Sequence, residues 1–289
     1  MPGEASVAAA ASARFWYLTG RLSEGRAWLE KALAVAPRNA DRTKSTLAWM
    51  LAVLAWVQGD LTTARDLALS GSELAESAGD ERGYMRCIET LALCEMDEGL
   101  LTDARRHLED NLIRSRAMGD DRGVAVTSGN LARLALFEEN YEDAALFAKE
   151  SVALHRAKGD SAAIATSLAV LGLTALFTDE IDTARTSLQE ALVLASWLGH
   201  SEQIATAMEG YACAMARAGA NEQAALLLGT VDRIKAESGV ASDPIEAEMR
   251  GKTEQILEDS MGREQLRELF LSGQKMSIKE VLAGIEHER

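Results

Sequence analysis

The chain has 289 residues, 47% of them apolar, and a formal net charge of −15. Binding to nucleic acid requires clusters of Lys and Arg, so the acidic balance argues against a nucleic-acid partner and against an anionic membrane. Only three prolines occur, and good helix formers are abundant, which indicates an all-α protein. The chain is long for one ordinary core, whereas a helical repeat array can grow without that limit.

The cellular environment can also be predicted from the sequence. The first residues have neither the basic segment nor the long apolar core of a signal peptide. No stretch approaches the about 18 apolar residues needed to cross a bilayer. Cys87, Cys94 and Cys213 have apolar neighbours and lack a CxxC spacing, which is typical of buried thiols in a reducing compartment. We therefore expect a cytoplasmic protein.

The first segment, residues 1–41, predicts a divergent N-terminal helical hairpin. Its two helices are expected over Glu4–Thr19 and Leu22–Ala36, and Pro37 stops the second helix. Gly25 stands where the later repeats place an alanine. The segment therefore reads as a first repeat that has diverged from the others.

Residues 42–240 contain five copies of a 40-residue unit, and self-similarity at such a period is the signature of a helical repeat array. A small residue recurs where two helices must approach closely. These alanines are Ala64, Ala104, Ala144, Ala184 and Ala224. Glycines recur with the same period at the ends of the first four units, at Gly79, Gly119, Gly159 and Gly199.

Each unit predicts two amphipathic helices. The first helices are expected over Arg42–Gln58, Arg82–Glu98, Arg122–Glu138, Ala162–Thr178 and Glu202–Ala218. The second helices are expected over Leu61–Ser77, Leu101–Ala117, Tyr141–Lys158, Ile181–Leu198 and Asn221–Glu237. Asp80, Asp120 and Asp160 can cap the following helix. Gly59, Gly99, Asn140 and Gly219 fall in the turns between partners, where glycine and asparagine tolerate a left-handed backbone.

The last segment, residues 241–289, leaves the 40-residue period and predicts C-terminal capping helices. Asp243-Pro244 is a helix-start signal, and helices are expected over Ile245–Met261, Glu264–Leu271 and Ser277–Glu286. A solenoid needs such a cap over its last exposed hairpin. The apolar residues expected to form it are Ile256, Leu257, Leu266, Leu269, Phe270, Val281 and Leu282. The predicted fold is thus all-α: a right-handed superhelical solenoid of antiparallel helix hairpins with a C-terminal helical cap.

The 40-residue unit resembles the tetratricopeptide repeat. In the fourth unit Leu171-Gly172 and Ala175 lie in the first helix, and Ala184, Leu188 and Ala191 follow in the second. The third unit has a related set, at Leu131-Ala132, Ala135, Ala144, Ala148 and Ser151. The unit is longer than the 34 residues of that family and lacks its usual tryptophan and proline, so it is similar to the long-helix variant of the superfamily.

A narrower similarity covers nearly the whole chain. Segments Phe15–Leu33, Ala224–Gly239 and Gly262–Glu286 resemble the helical-repeat region of large ATP-dependent bacterial regulators of the LuxR and AfsR type. In that family the repeats are the sensor or protein-interaction part, while separate modules act on ATP and DNA. The resemblance implies that this chain is the sensor or interaction segment of a bacterial transcriptional regulator, either as a fragment or as a stand-alone relative.

No arrangement of residues predicts catalysis, a cofactor or a metal site. Gly251-Lys252-Thr253 resembles the end of a phosphate-binding loop, but Glu246 stands where that loop needs a glycine. The four histidines lack metal-ligand spacing, and we expect them to be partly exposed structural residues. They are His107, His155, His200 and His287. We therefore predict a protein that is not an enzyme and binds no cofactor.

The candidate site is a concave groove lined by the first helices of the repeats. Its predicted ligand- or partner-binding residues are Trp49, Trp56, Arg86, Glu89, Asn130, Arg133, Phe137 and Arg217. Trp, Phe and Arg are enriched in binding hot spots, and Arg86, Asn130 and Arg133 could hold the carboxylate or backbone of a peptide. Alternatively, the aromatic residues belong to the core between repeats, and the arginines form salt bridges to nearby glutamates.

Three functions are compatible with this groove. The first is a protein- or peptide-binding scaffold. The second is a small-molecule sensor with its ligand inside the superhelix near Trp49 and Trp56. The third is a homo-oligomerisation module, with a homodimer as the simplest assembly.

Overall fold

The computed structural model describes residues 2–37, 39–242 and 244–286, and these residues form fifteen α-helices and no strand. By their contacts they divide into two compact units. Unit 1 comprises residues 1–134 and the short segment Gly239–Ala241; unit 2 comprises residues 135–238 and 242–289. The predicted all-α repeat fold is confirmed.

Unit 1 consists of helical hairpins in chain order. Its helices are α1 (Pro2–Leu18), α2 (Leu22–Val35), α3 (Asp41–Val57), α4 (Leu61–Ser77), α5 (Glu81–Asp97), α6 (Leu101–Ala117) and all but the last turn of α7 (Asp121–Phe137). Helices α3 and α5, the first members of successive hairpins, pack against each other as well as against their own partners.

Unit 2 continues the pattern and ends with three additional helices. Its helices are α8 (Tyr141–Lys158), α9 (Ser161–Phe177), α10 (Ile181–Leu198), α11 (Ser201–Arg217), α12 (Asn221–Ser238), α13 (Pro244–Met261), α14 (Arg263–Gly273) and α15 (Ile278–Glu286). Four of the five predicted second helices have the predicted bounds at both ends. The five predicted first helices each begin and end one residue earlier than expected.

The turn residues explain these bounds. Gly79, Gly119, Gly159 and Gly199 all have positive φ, between 61° and 71°, so each ends a helix in the left-handed conformation. The aspartate after the glycine then caps the next helix through its side chain. The Oδ1 atoms of Asp80, Asp120 and Asp160 accept from backbone amides three residues later, at 3.1, 3.3 and 3.3 Å.

Two capping aspartates of unit 1 have a second partner in the preceding repeat. Asp80 lies 3.6 Å from Arg42, and Asp120 lies 3.0 Å from Arg82. The same carboxylate therefore caps the start of one helix and joins its hairpin to the hairpin before it. These pairs are partly exposed, so each contributes on the order of 0–1 kcal/mol.

The third turn differs from the sequence-based expectation. Asn140, expected to provide the left-handed residue, instead caps α8, and its side chain accepts from the amide of Asp143 at 3.3 Å. Glu139 holds the left-handed backbone, with φ of 57°, and Asp179 does the same in the next repeat, with φ of 61°. The 40-residue period places both at the position of Gly59, Gly99 and Gly219.

Small residues permit close approach within the hairpins. All five periodic alanines, Ala64 to Ala224, are completely buried, as predicted. A Cβ atom on Gly172 would lie 2.4 Å from Leu188, so glycine is required at that contact of α9 with α10. A Cβ atom on Gly25 would lie 2.7 Å from Trp16, which explains why the divergent first hairpin has glycine where the others have alanine.

The core of unit 1 includes a residue from far along the chain. Val240, only 8% exposed, belongs to the apolar cluster formed by α1, α2 and α3, which contains Leu29, Leu51 and Leu54. The amide of Ala241 donates to the carbonyl of Val57, at 2.9 Å. We call Gly239–Ala241 the strap.

Two of the three C-terminal helices pack on the last hairpin of unit 2, where α13 contacts α11 and α14 contacts α12, whereas α15 contacts α10. Leu257, Leu266 and Val281 are buried, as expected of capping residues. Ile256 is 37% exposed, so its predicted capping role is wrong. It lies about 100° around α13 from Leu257 and therefore points away from the core. The predicted helix-start residue Asp243 lies outside the described residues.

Candidate functional site

The candidate site lies in unit 1, on the face shared by the first helices α3, α5 and α7. Trp49 of α3 and Arg86 of α5 are half-buried side chains, and the guanidinium lies over the indole ring at 4.6 Å from its centroid. Such a cation–π contact is worth about 0.5–1 kcal/mol at a partly exposed site. The contact holds the Arg86 guanidinium over the face of the Trp49 indole ring.

A second stack lies on the same helices. Arg133 of α7 lies over the ring of Trp56, at 5.1 Å, and donates to Asp97 of α5 at 3.0 Å. The indole nitrogen of Trp56 donates to the other carboxylate oxygen of Asp97, at 2.7 Å. Asp97 thus links all three helices, and Arg133 has the carboxylate partner that the alternative interpretation anticipated, although the partner is an aspartate.

Glu89 lies on α5 between Arg86 of the first stack and Asp97 of the second. It accepts a hydrogen bond from the hydroxyl of Thr127 on α7, at 2.9 Å. Burial raises the pKa of this carboxyl to about 7, against the opposing effects of the Thr127 hydrogen bond and of Arg86. Glu89 therefore exchanges a proton near neutral pH.

Two predicted site residues have polar groups available for a partner. Arg86 donates its Nε hydrogen to the carbonyl of Arg82, at 3.3 Å, and has no salt bridge to a carboxylate within the part of the chain that the structure describes. Asn130 of α7 is half-buried and makes no side-chain hydrogen bond to a described residue. Arg86 comes three residues before Glu89, and Asn130 comes three residues after Thr127. They therefore reach different parts of the α5–α7 face.

The remaining two predicted residues belong to unit 2. Phe137 is half-buried and packs against the core of that unit. Arg217 donates to the carbonyl of Leu176 and lies 3.7 Å from Asp179. The six residues of unit 1 share one face, whereas the contacts of Phe137 and Arg217 are with unit 2. A binding role for any of the eight stays a prediction.

Sequence reasoning missed Asp97 and Thr127. A usable signal exists, because contacts between successive first helices join residues separated by nearly one repeat. Trp56 and Asp97 are 41 residues apart, Glu89 and Thr127 are 38 apart, and Asp97 and Arg133 are 36 apart. Polar residues separated by about 36 to 41 positions are therefore candidate neighbours.

A buried charge cluster in unit 2 was also missed. Glu209 of α11 is 2% exposed, and it binds both Lys235 of α12 and, at 3.1 Å, Arg250 of α13. Burial lowers the pKa of Lys235, but Glu246 and Glu209 together raise it above its ordinary value. Breaking one partner of such a cluster leaves a buried charge uncompensated, so the cluster fixes α13 against the last hairpin.

The cysteines are buried free thiols, as expected, and burial raises the pKa of Cys87, Cys94 and Cys213 to about 11, 12 and 11. The expectation of partly exposed histidines is wrong for His155 and His200, which are 3% and 4% exposed. His155 lies in the last turn of α8, whereas His200 follows α10 and is the N-cap residue of α11. His287 lies outside the described residues.

Two further properties follow from the residues that the structure describes. Within these residues, no group of three His, Cys, Asp or Glu side chains could hold a metal ion. In the same part of the chain, every helix is too short or too polar to cross a bilayer.

The fold and this site define an all-α helical-repeat scaffold. Residues 84–157 match the tetratricopeptide repeat family. This segment contains most of α5, all of α6 and α7, and all but the last residue of α8. The match shows similarity to that family over these residues. No curated protein sequence matches the chain.

Two examples illustrate the similarity of the chain to solved structures. BtubC (BKLC) from P. vanneervenii aligns with a TM-score of 0.56 and 20% identity, over 77% of this chain and 94% of that chain. A Rap protein solved in complex with competence and sporulation factor aligns with a TM-score of 0.58 and 11% identity, over 99% of this chain and 98% of that chain. At these identities the likeness shows the fold. Neither structure bears on the narrower resemblance to LuxR- and AfsR-type regulators.

Proposed function

We propose that the chain is a non-enzymatic scaffold that binds a protein or peptide partner on the α3, α5, α7 face of unit 1. The observation that carries the proposal is Arg86, a cation stacked on Trp49 that makes no salt bridge to a carboxylate among the described residues. Guanidinium groups bind carboxylates through charge-assisted hydrogen bonds. Scaffolds of the tetratricopeptide type are generally non-catalytic, and the Rap structure was solved with a factor bound.

The proposed partner is a segment that presents a carboxylate to Arg86 and a backbone amide to Asn130. An Asn side chain offers both a donor and an acceptor, which suits a peptide group. A chain with a net charge of −15 repels anions in general, so such a segment depends on the local positive charge of Arg86. Trp49 supplies apolar area beside it.

The test is a titration of the whole chain against a displayed library of acidic peptides, followed by the same titration of Arg86→Glu. A charge reversal at the proposed contact should reduce the affinity of selected peptides at least about tenfold, since 1.4 kcal/mol corresponds to that factor. The matched control is Arg267→Glu, because Arg267 is exposed on α14 and has no salt-bridge partner among the described residues. Equal losses in both variants, or none in either, would contradict the site.

We further propose that this scaffold is the sensor or interaction segment of a bacterial transcriptional regulator acting in the cytoplasm. The support is the sequence resemblance at Phe15–Leu33, Ala224–Gly239 and Gly262–Glu286. Reading the complete open reading frame tests it: an NTPase module encoded beside the repeats would support the regulator, and an unrelated neighbouring domain would contradict it.

A homodimer is the second candidate. Trp197, near the end of α10, is 87% exposed, and the adjoining Leu198 is 41% exposed. Exposed aromatic residues of this size are enriched at interfaces. Sedimentation of the wild-type chain and of Trp197→Ser measures the mass in solution. A dimer that the substitution converts to a monomer would support this candidate, and a wild-type monomer would exclude it.

A further inference from the structure

The strap occupies the end of α3 like a bound ligand. Gly239–Ala241 belongs by its contacts to unit 1, although Ser238 and Ser242 on either side belong to unit 2. The strap lies more than 180 positions after the α3 residues that it contacts. It is non-helical, in contrast to the helices on both sides of it in sequence.

The main contact satisfies a helix end. The last four carbonyls of a helix lack donors within the helix. At the end of α3, local amides of the turn donate to Leu54, Ala55 and Trp56. Val57 is the remaining carbonyl, and its donor is the amide of Ala241, at 2.9 Å. The strap thus supplies the hydrogen bond that the local sequence does not.

The side chains of the strap fit a prepared apolar surface. Val240 is 8% exposed within the cluster that contains Leu54 and Val57, and Trp56 of the candidate site packs against the same cluster. Removing an aliphatic side chain from water in such a cluster stabilises the contact. The subsite for Val240 is therefore continuous with the proposed binding face.

The backbone beneath the strap is specific to this repeat. A Cβ atom at Gly59 would lie 3.1 Å from the methyl group of Ala241, so the glycine leaves just enough room for a small side chain. At the equivalent Gly99 and Gly219, nothing lies within 4 Å of such an atom. Of these three turns, the first alone carries an additional segment.

We propose that the strap is an internal ligand that a partner must displace. The subsite accepts a β-branched aliphatic residue followed by a small residue with a free backbone amide, in the manner of Val240-Ala241. The displacement rests on the proposed function, because the partner occupies the adjoining α3, α5, α7 face. The strap competes with the partner for the subsite at an effective concentration on the order of millimolar. The partner's apparent affinity is therefore its intrinsic affinity multiplied by the fraction of molecules in which the subsite is open.

The experiment uses the full chain and a fluorescein-labelled pentapeptide, Ser-Gly-Val-Ala-Ser, which copies Ser238–Ser242. Fluorescence anisotropy measures its affinity for the wild type, for Val240→Ser and for Ala241→Pro. The first substitution removes the apolar side chain, and the second removes the donating amide. Both should open the subsite and tighten pentapeptide binding at least about tenfold. The matched control, Val35→Ser on the exposed surface of α2, should leave binding unchanged.

Equal affinity for the wild type and both variants, or absence of binding to all of them, would overturn the internal ligand and leave the strap as a structural staple. A second measurement does not depend on the variants. Saturating pentapeptide should accelerate hydrogen exchange at the amide of Ala241 in the wild type, and unchanged exchange would contradict displacement. Arg86→Glu probes the proposed function separately: its failure to affect library peptides would remove that proposal, whereas the pentapeptide results address the strap subsite alone.

Discussion

At the scale of single residues, two turns hold a side chain in an unfavourable backbone conformation. Glu139 and Asp179 are left-handed where other repeats have glycine. A Cβ atom in this conformation costs about 1–2 kcal/mol, and the larger entropy that glycine loses on folding offsets part of that cost. We expect Glu139→Gly to raise the free energy of unfolding by about 0.5–1 kcal/mol, measured by urea denaturation.

The matched control is Glu139→Ala, which removes the carboxylate but keeps the Cβ atom. It should give little or none of this gain, because the backbone strain remains. An equal gain in both variants would assign the effect to the removed charge and not to the backbone.

The raised pKa of Glu89 predicts a specific pH dependence. The folded chain holds this proton up to about pH 7, whereas the ordinary value is 4.5. The folded state then binds more protons than the unfolded state between these values, so the contribution of Glu89 to stability falls as pH rises through this window and is constant above it. Glu89→Gln should therefore be more favourable, relative to the wild type, at pH 8 than at pH 5, by about 1–3 kcal/mol.

Urea denaturation of the wild type and of Glu89→Gln at the two pH values measures this difference. The contributions of all other titrating groups to the pH dependence cancel, because the two proteins have these groups in common. Parallel curves for wild type and Glu89→Gln would show that the carboxyl ionises at its ordinary pKa.

The sequence predicted the types of residue on the candidate face but not their contacts. Trp49, Trp56, Arg86 and Arg133 were predicted because their residue types suit binding and because their positions fall on the same side of their helices. Whether a side chain is free or paired depends on a neighbour about one repeat away, as the hydrogen bond from Arg133 to Asp97 demonstrates. The distance between neighbouring helices decides whether such a side chain is free or paired, and a single sequence does not give that distance.

At the scale of helices, the sequence predicted the bounds of the repeat helices α3 to α12 to within one residue. Gly79 and Asp80 illustrate why: the glycine takes the left-handed conformation that ends α4, and the aspartate caps α5. Both effects act over three or four residues and need no tertiary information. The strap was not predicted, because the contact of Ala241 with Val57 spans most of the chain and leaves no periodic pattern.

The contact of α12 with α14 depends on two glycines. A Cβ atom on Gly229 would lie 2.2 Å from the carbonyl oxygen of Phe270, and one on Gly273 would lie 2.0 Å from that of Leu226. The obstructing atoms are backbone, so the helices must separate. We expect Gly229→Ala and Gly273→Ala each to lower the free energy of unfolding by about 1–3 kcal/mol, as overpacking does.

Gly251→Ala provides the control for these substitutions in a neighbouring helix. Gly251 lies inside α13, and nothing lies within 4 Å of the position that a Cβ atom would take there, so the alanine should stabilise the chain by about 0.5–1 kcal/mol through helix propensity. Thermal or urea denaturation of the three variants should give opposite signs for Gly251 and the other two. A gain at Gly229 would show that α14 does not approach α12 closely in solution.

At the scale of the whole molecule, the net charge of −15 is the dominant long-range term. Self-repulsion of this charge destabilises the compact state, while individual exposed ion pairs contribute little. The Debye length falls from about 30 Å at 0.01 M salt to about 10 Å at 0.1 M. We therefore expect NaCl to raise the urea midpoint over this range, and a falling midpoint would show that ion pairs outweigh the repulsion.

The capping aspartates of unit 1 also bear on how such an array can change length. Each of Asp80 and Asp120 meets an arginine of the hairpin before it, Arg42 or Arg82. A hairpin that has both residues therefore carries an aspartate that pairs with the hairpin before it and an arginine that pairs with the hairpin after it. Tandem duplication of forty residues inside this region, by recombination or by gene synthesis, would therefore join compatible ends and require no compensating mutation at the new junction.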